Sequence, residues 1–127
     1  MNKRILVVDP SRTLQMLLHT YFSIAGHCVI TCSTQEEALQ VFAVVQDVPD
    51  LIFVAIEHRK EAYKLIDFMK ERAIYASVRI VAMVLAAEQP SVQKALSNTT
   101  VSYLVKPFQI QDVLALVSPV AACSSSA

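Results

Sequence analysis

Apolar runs and helical patterns alternate along this chain from one end to the other. Strands are predicted at 4–8, 27–32, 51–56, 78–85 and 101–105, where apolar residues predominate as they do in strands buried on both faces. Each is followed by apolar side chains spaced as on one face of an α-helix. The predicted inward faces are Leu14, Leu17, Leu18 and Tyr21; Ala38, Val41, Phe42 and Val45; Ala62, Leu65, Ile66 and Met69; Val92, Ala95 and Leu96; and Ile110, Val113, Leu114 and Val117. Strand–helix alternation repeated five times predicts an α/β fold, with a parallel sheet and helices on both of its faces.

Local signals mark where several of these helices begin and end. Gly26, the only glycine, follows the first helical pattern, where a left-handed C-cap is expected. Ser33 and Glu36 match a capping box and predict the start of the second helix. Pro90 suits the first turn of the fourth helix.

The length of 127 residues fits one domain that needs no disulfide or metal to fold. Pro119 and the serine-rich end predict a domain over 1–119 and a frayed tail over 120–127. Eleven basic and eleven acidic residues cancel, which argues against a nucleic-acid surface. The longest apolar run, 80–87, is far shorter than the ~20 residues of a membrane helix, and the start of the chain does not resemble a signal peptide. We therefore expect a cytoplasmic protein without membrane insertion.

In a parallel sheet of this kind, a ligand site lies beyond the carboxyl ends of the strands. Four residues are expected there, namely Asp9, Ala55, Val84 and Lys106. A single carboxylate and a single ammonium group that share a crevice would normally pair; a residual cation on Asp9 is the weaker alternative. The glycine-rich loop of a nucleotide site is missing, and the three histidines lack metal-ligand spacing, so no cofactor, metal or catalysis is expected.

Three segments carry a family resemblance. Residues 5–12 read Ile-Leu-Val-Val-Asp-Pro-Ser-Arg, residues 49–52 read Pro-Asp-Leu-Ile, and residues 103–108 read Tyr-Leu-Val-Lys-Pro-Phe. In order and spacing over 3–118, the chain resembles response-regulator receiver domains. The resemblance implies a flavodoxin-like (βα)5 three-layer sandwich whose five-stranded parallel sheet has the order 2-1-3-4-5.

Receiver chemistry is implied only in part. Receivers accept a phosphoryl group on an aspartate that ends the third strand, beside magnesium held by two acidic residues after the first strand. A Ser or Thr after the fourth strand and a Lys after the fifth bind the phosphoryl oxygens. Asp9 and Lys106 match this pattern, whereas Pro10, Ala55 and Val84 stand at the second acidic, acceptor and hydroxyl positions. These three lack a metal ligand, a nucleophilic oxygen and a hydroxyl donor, so the phosphorylation site is predicted to be vestigial.

Further expectations follow from the same resemblance. Tyr103 matches the aromatic residue that changes rotamer in working receivers, and we expect it to be fixed here. The bond between Lys106 and Pro107 is expected to be cis. Glu57, two residues beyond Ala55, could replace the acceptor, although a solvated charge is the expected state.

The leading hypothesis is a non-phosphorylatable pseudo-receiver that acts as a constitutive protein–protein interaction module in a two-component-like pathway. One alternative is a phosphorylatable receiver that uses an unusual acceptor such as Asp9; another is the regulatory or dimerisation domain of a longer regulator. A small flavodoxin-like enzyme is disfavoured because the phosphate loop is missing. The expected partner is a signalling kinase, a regulator, an effector or a second copy of the chain.

The interface is predicted on the last helix and its neighbours. Leu116 is left over from the inward stripe of that helix, with Ala115 beside it and Tyr103 on the adjoining strand. The alternative is that 120–123 folds back and covers this face.

Overall fold

The computed structural model describes residues 2–44, 47–56, 62–97 and 99–117. Five strands and five helices alternate along them: β1 Arg4–Val8, α1 Arg12–Ile24, β2 Cys28–Cys32, α2 Gln35–Val44, β3 Leu51–Ala55, α3 Lys64–Lys70, β4 Arg79–Leu85, α4 Gln89–Ala95, β5 Ser102–Lys106 and α5 Ile110–Val117. The sheet has the order β2-β1-β3-β4-β5, and every neighbouring pair is parallel. The predicted flavodoxin-like architecture is confirmed, with strand ends that differ by at most one residue from those expected.

Two apolar layers hold the helices to the sheet. The α1/α5 core joins Leu18, Phe22, Val113 and Val117 to alternate residues of the strands, and the α2–α4 core does the same on the opposite face. The central strand β3 is buried along its whole length because its side chains enter both layers. This explains why the strands read as continuous apolar runs rather than as alternating patterns.

The inward face of α1 differs from the predicted one. Gln15, Leu18 and Phe22 are its buried residues, whereas Leu17 and Tyr21 are exposed. The helix is turned so that the ring of Phe22 packs on that of Phe53 in β3, with 5.4 Å between the ring centroids. Burial of two aromatic rings outweighs the alternative apolar stripe.

The caps are confirmed at two helices and shifted at one. Gly26 has a φ of +93°, and Pro90 lies in the first turn of α4. The capping box of α2 begins one residue later than predicted: Thr34 Oγ1 accepts the N–H of Glu37 at 3.1 Å. The Glu37 carboxylate accepts the N–H of Ser33, the residue before this cap, at 2.6 Å, whereas a reciprocal capping box would use the N–H of Thr34.

The prediction for the last helix is wrong in one respect. Leu116 does not point away from the core; it is partly buried against the α1/α5 core, beside Val113 and Val117. The apolar stripe of this helix is wide enough to include Leu116. The backbone carbonyl of Leu116 accepts a hydrogen bond from Arg79 Nη1 at 2.7 Å. Ala115 is exposed. The predicted tail, 120–127, lies outside the described residues.

No helix within the described ranges is long and apolar enough to cross a membrane.

Candidate functional site

Asp9 is the buried carboxylate at the carboxyl edge of the sheet. It follows β1 directly, and its backbone N–H donates to the carbonyl of Cys32 at 3.0 Å. The last residue pair between β1 and β3 is Val8 with Val54, so Asp9 and Ala55 stand side by side, one residue further along each strand. The side chain of Asp9 is only 1% exposed.

Both carboxylate oxygens of Asp9 have a partner. Oδ1 accepts the backbone N–H of Ser11 at 2.8 Å, and Oδ2 accepts Nζ of Lys106 at 2.6 Å. The predicted ion pair with Lys106 is therefore present. Because the Lys106 side chain is 27% exposed, the buried charge in this pair is mainly the carboxylate.

A third polar side chain, which the sequence analysis did not single out, completes this edge. Buried Gln15 donates through Nε2 to the carbonyl of Asp9 at 2.7 Å and to Ser33 Oγ at 3.1 Å. It links the turn after β1 to the turn after β2. The available signal was the spacing: Gln15 precedes Leu18 by three residues and Phe22 by seven, so it shares their helix face.

The other matched positions separate onto the two faces of the sheet. Ala55 is buried in the α1/α5 core at the end of β3, and Pro10 is exposed. Val84 is buried in the α2–α4 core, on the opposite face from Ala55. The structure thus brings Asp9, Ala55 and Lys106 together and leaves Val84 within a core layer. Glu57, the possible substitute acceptor, lies outside the described residues.

Tyr103 is half-buried on the face that carries Val84. Burial and then the neighbouring Tyr63 raise the pKa of the Tyr103 phenol. Burial and then the Glu88 carboxylate raise the pKa of the Tyr63 phenol. Tyr63 is the N-cap residue of α3, and Glu88 ends the 3-10 turn Ala86–Glu88. The peptide bond between Lys106 and Pro107 is cis.

The residues at this edge do not fit magnesium. Magnesium requires several oxygen ligands in octahedral geometry. The Asp9 carboxylate already accepts two hydrogen bonds, while the Pro10 ring and the Ala55 methyl group offer no ligand. Throughout the described part of the chain, no group of three or more His, Cys, Asp or Glu side chains could hold a metal ion.

Comparison with known proteins gives consistent matches. The family model described as the response regulator receiver domain matches residues 5–118. A probable transcriptional regulator, ycf27, of Guillardia theta is 26% identical over 119 residues, which make up 93% of this chain and 45% of that relative. Sporulation initiation phosphotransferase F of Bacillus subtilis (strain 168) is 24% identical over 114 residues, 89% of each chain.

Solved structures share the fold. The chemotaxis protein CheY4 of Vibrio cholerae, crystallized at low pH, is similar with a TM-score of 0.78 at 19% identity, over 92% of this chain and 97% of that one. This chain spans less than half of the length of the first curated relative and most of the second.

Proposed function

This chain belongs to the response regulator receiver domain family, and we propose that it is a receiver that cannot be phosphorylated. Receiver domains are signalling modules of two-component systems, and they contact protein partners such as kinases and effectors. On this proposal, the chain binds its partner constitutively and catalyses no reaction.

The observation that carries the proposal is Ala55. It ends β3 beside Asp9, where the family resemblance expects the acceptor aspartate, and its methyl group has no oxygen to attack a phosphorus atom. The neighbouring positions support the same reading. Pro10 supplies no metal ligand. Val84 lies on the opposite face of the sheet from Ala55, and Leu85, which pairs with Lys106 at the end of β4, supplies no hydroxyl group either. Among the matched motif positions, all within the described residues, the only cation left to stabilise the charge on a transferring phosphoryl group would be Lys106, whose ammonium group is already paired with Asp9.

The contacts of Asp9 weigh against its use as a substitute acceptor. Nucleophilic attack needs an accessible lone pair, yet both oxygens accept hydrogen bonds and the side chain is almost fully buried. Asp9 would have to break its ion pair with Lys106 before it could react. Its role in the proposal is structural.

A chain without a phosphoryl signal has no covalent trigger to shift its population between two states. We therefore expect α4, β5 and α5 to present one state of their surface, with Tyr103 held in one rotamer. Tyr103 and exposed Ala115 remain candidate contact residues on that surface. Leu116 is no longer one, because it packs on the core.

A second candidate is the regulatory domain of a longer regulator. It is favoured by the first curated relative, of which this chain spans 45% of the length. Both candidates share the same vestigial site, so this second reading changes the context of the domain and leaves its chemistry as proposed.

The test is the intact mass of the protein after incubation with acetyl phosphate and magnesium. We expect no adduct of about 80 Da, whereas a receiver that carries the acceptor aspartate, treated in parallel, should gain one. A stable adduct on this chain would overturn the proposal. If Asp9→Asn then abolished that adduct, the alternative of an unusual acceptor would be correct.

A further inference from the structure

The outer face of α1 is apolar and has no partner among the described residues. Met16, Leu17, Tyr21 and Ile24 are 70%, 40%, 39% and 79% exposed. They account for half of the eight exposed large hydrophobic residues in the described part of the chain, so exposure is concentrated on this helix. Apolar patches of this kind on a small domain are often contact surfaces.

The spacing of this face is that of a helix-pairing seam. Thr13, Leu17, Thr20 and Ile24 are all exposed and follow one another at intervals of four, three and four residues, as the core positions of a coiled coil do. Met16 and Tyr21 flank this line on either side. The face therefore fits another helix better than it fits a flat surface.

The charges of α1 favour an antiparallel second copy. The helix contains no acidic residue, and its first turn carries Arg12, where the helix dipole disfavours a cation. Its last turn has no basic residue, so the carbonyl groups there lack a nearby cation from their own helix. When two copies run antiparallel with Thr13 opposite Ile24, Arg12 of each copy lies level with the C-cap residue Ala25 of the other. The cation of Arg12 in each copy then lies beside the C-terminal carbonyl groups of α1 in the other copy.

We propose that α1 is a contact face between two copies of this chain, related by a twofold axis between Leu17 and Thr20. In this arrangement, Thr13 packs against Ile24 of the partner subunit and Leu17 packs against Thr20 of the partner subunit. The proposal goes beyond the proposed function and does not depend on whether the chain can be phosphorylated.

The size of the face sets the expected strength. The exposed apolar side chains cover roughly 400 Å² per copy, which places the contact in the range of weak and transient interfaces. A dissociation constant on the order of 100 μM is therefore expected. Since the whole chain has a net charge of zero, no long-range repulsion opposes the contact.

The first experiment is sedimentation velocity at concentrations from about 10 μM to about 1 mM, a range that brackets the expected constant. We expect the weight-average mass to rise from that of the monomer toward that of the dimer. Ile24→Glu should abolish the rise, while Ile74→Glu should leave it unchanged. Ile74 is the matched control because it is also exposed, at 62%, but lies on the 3-10 turn before β4. A circular dichroism spectrum checks that both variants are folded.

The second experiment tests the geometry by cross-linking with a short bismaleimide. In a background of Cys28→Ser and Cys123→Ser, two copies of Thr20→Cys should link, because they lie about 5 Å apart along the helix axis. Two copies of Thr13→Cys should not link, because antiparallel helices hold them about 16 Å apart.

Equal linking at both positions would overturn the antiparallel arrangement, since it would indicate parallel helices. A monomer at every concentration would overturn the whole proposal, whether 118–127 or a different protein then covers the face. Neither result changes the outcome of the acetyl phosphate test.

Discussion

Removal of the charge on Lys106 should destabilise the protein far more than removal of the charge on Asp9. In Lys106→Met, the Asp9 carboxylate, only 1% exposed, keeps the N–H of Ser11 but loses its cation. A buried charge without its partner costs about 3 kcal/mol. In Asp9→Asn, the remaining oxygen still accepts the Ser11 N–H, and the 27% exposed Lys106 can turn toward water. That change should cost about 1 kcal/mol.

The double variant isolates the interaction free energy between the two side chains from the separate effects of the two substitutions. Asp9→Asn combined with Lys106→Met should cost little more than Asp9→Asn alone, because no buried charge remains. The coupling free energy is then about 3 kcal/mol. Urea unfolding followed by far-ultraviolet circular dichroism measures each variant, since the chain has no tryptophan for fluorescence. Asp47→Asn is the matched control: its ion pair with Arg4, at 3.7 Å, is exposed and should contribute less than about 0.5 kcal/mol.

Two results would refute this reasoning. If Lys106→Met costs no more than Asp9→Asn, the carboxylate is not held as a buried charge. If the double variant equals the sum of the single variants within about 0.5 kcal/mol, the 2.6 Å contact does not stabilise the fold.

Three other changes have defined outcomes. Gly26→Ala should lower the unfolding free energy by about 1 kcal/mol because φ is +93°, and Gly26→Asn should lower it less; urea melts compare them. Burial and then Glu37 raise the pKa of the Cys32 thiol to about 11. Its neutral form stabilises the fold fully at pH 8, and this contribution is lost as the pH rises through about 11. At pH 9, timed alkylation and peptide mapping should therefore find exposed Cys28 labelled before Cys32. Ala55→Asp alone should remain unlabelled by acetyl phosphate in an intact-mass assay and should cost about 1–3 kcal/mol, since it adds a second carboxylate beside Asp9 without a metal site.

The sheet could be predicted because its strands are buried on both faces. Residues at the centre of β1, β3 and β4 all enter a core layer, so the sequence shows each strand as an unbroken apolar run. The order of the strands came from the family resemblance, since periodicity alone does not determine which strands are neighbours. The ion pair between Asp9 and Lys106 could be predicted because each residue directly follows or ends a strand at the same edge.

The rotation of α1 could not be predicted from spacing. The helix is apolar on several sides, so the set with Leu17 and Tyr21 and the set with Leu18 and Phe22 have equally good helical spacing. Only the contact between Phe22 and Phe53, which are far apart in sequence, decides between them. Because the predicted inward face of α1 was rotated from the observed one, Gln15 was not recognised as an inward residue.

The start of α2 was ambiguous for a similar reason. Ser33 with Glu36 and Thr34 with Glu37 are overlapping capping boxes, and the sequence does not rank them. The hydrogen bonds select the second one.

Asp9 and Lys106, the two residues that match the receiver motif, also make contacts that hold the fold together. Asp9 accepts the N–H of Ser11 that begins α1, its carbonyl holds Gln15, and its carboxylate binds Lys106 at the end of β5. These contacts connect the turns that follow β1 and β2 with the end of β5, whatever the chemistry of the site. By contrast, Ala55 and Val84 are packed in core layers as apolar side chains, where an unpaired carboxyl or hydroxyl group would lower stability. We therefore infer that Asp9 and Lys106 stabilise the fold in this chain, so that their match to the motif does not by itself indicate phosphorylation.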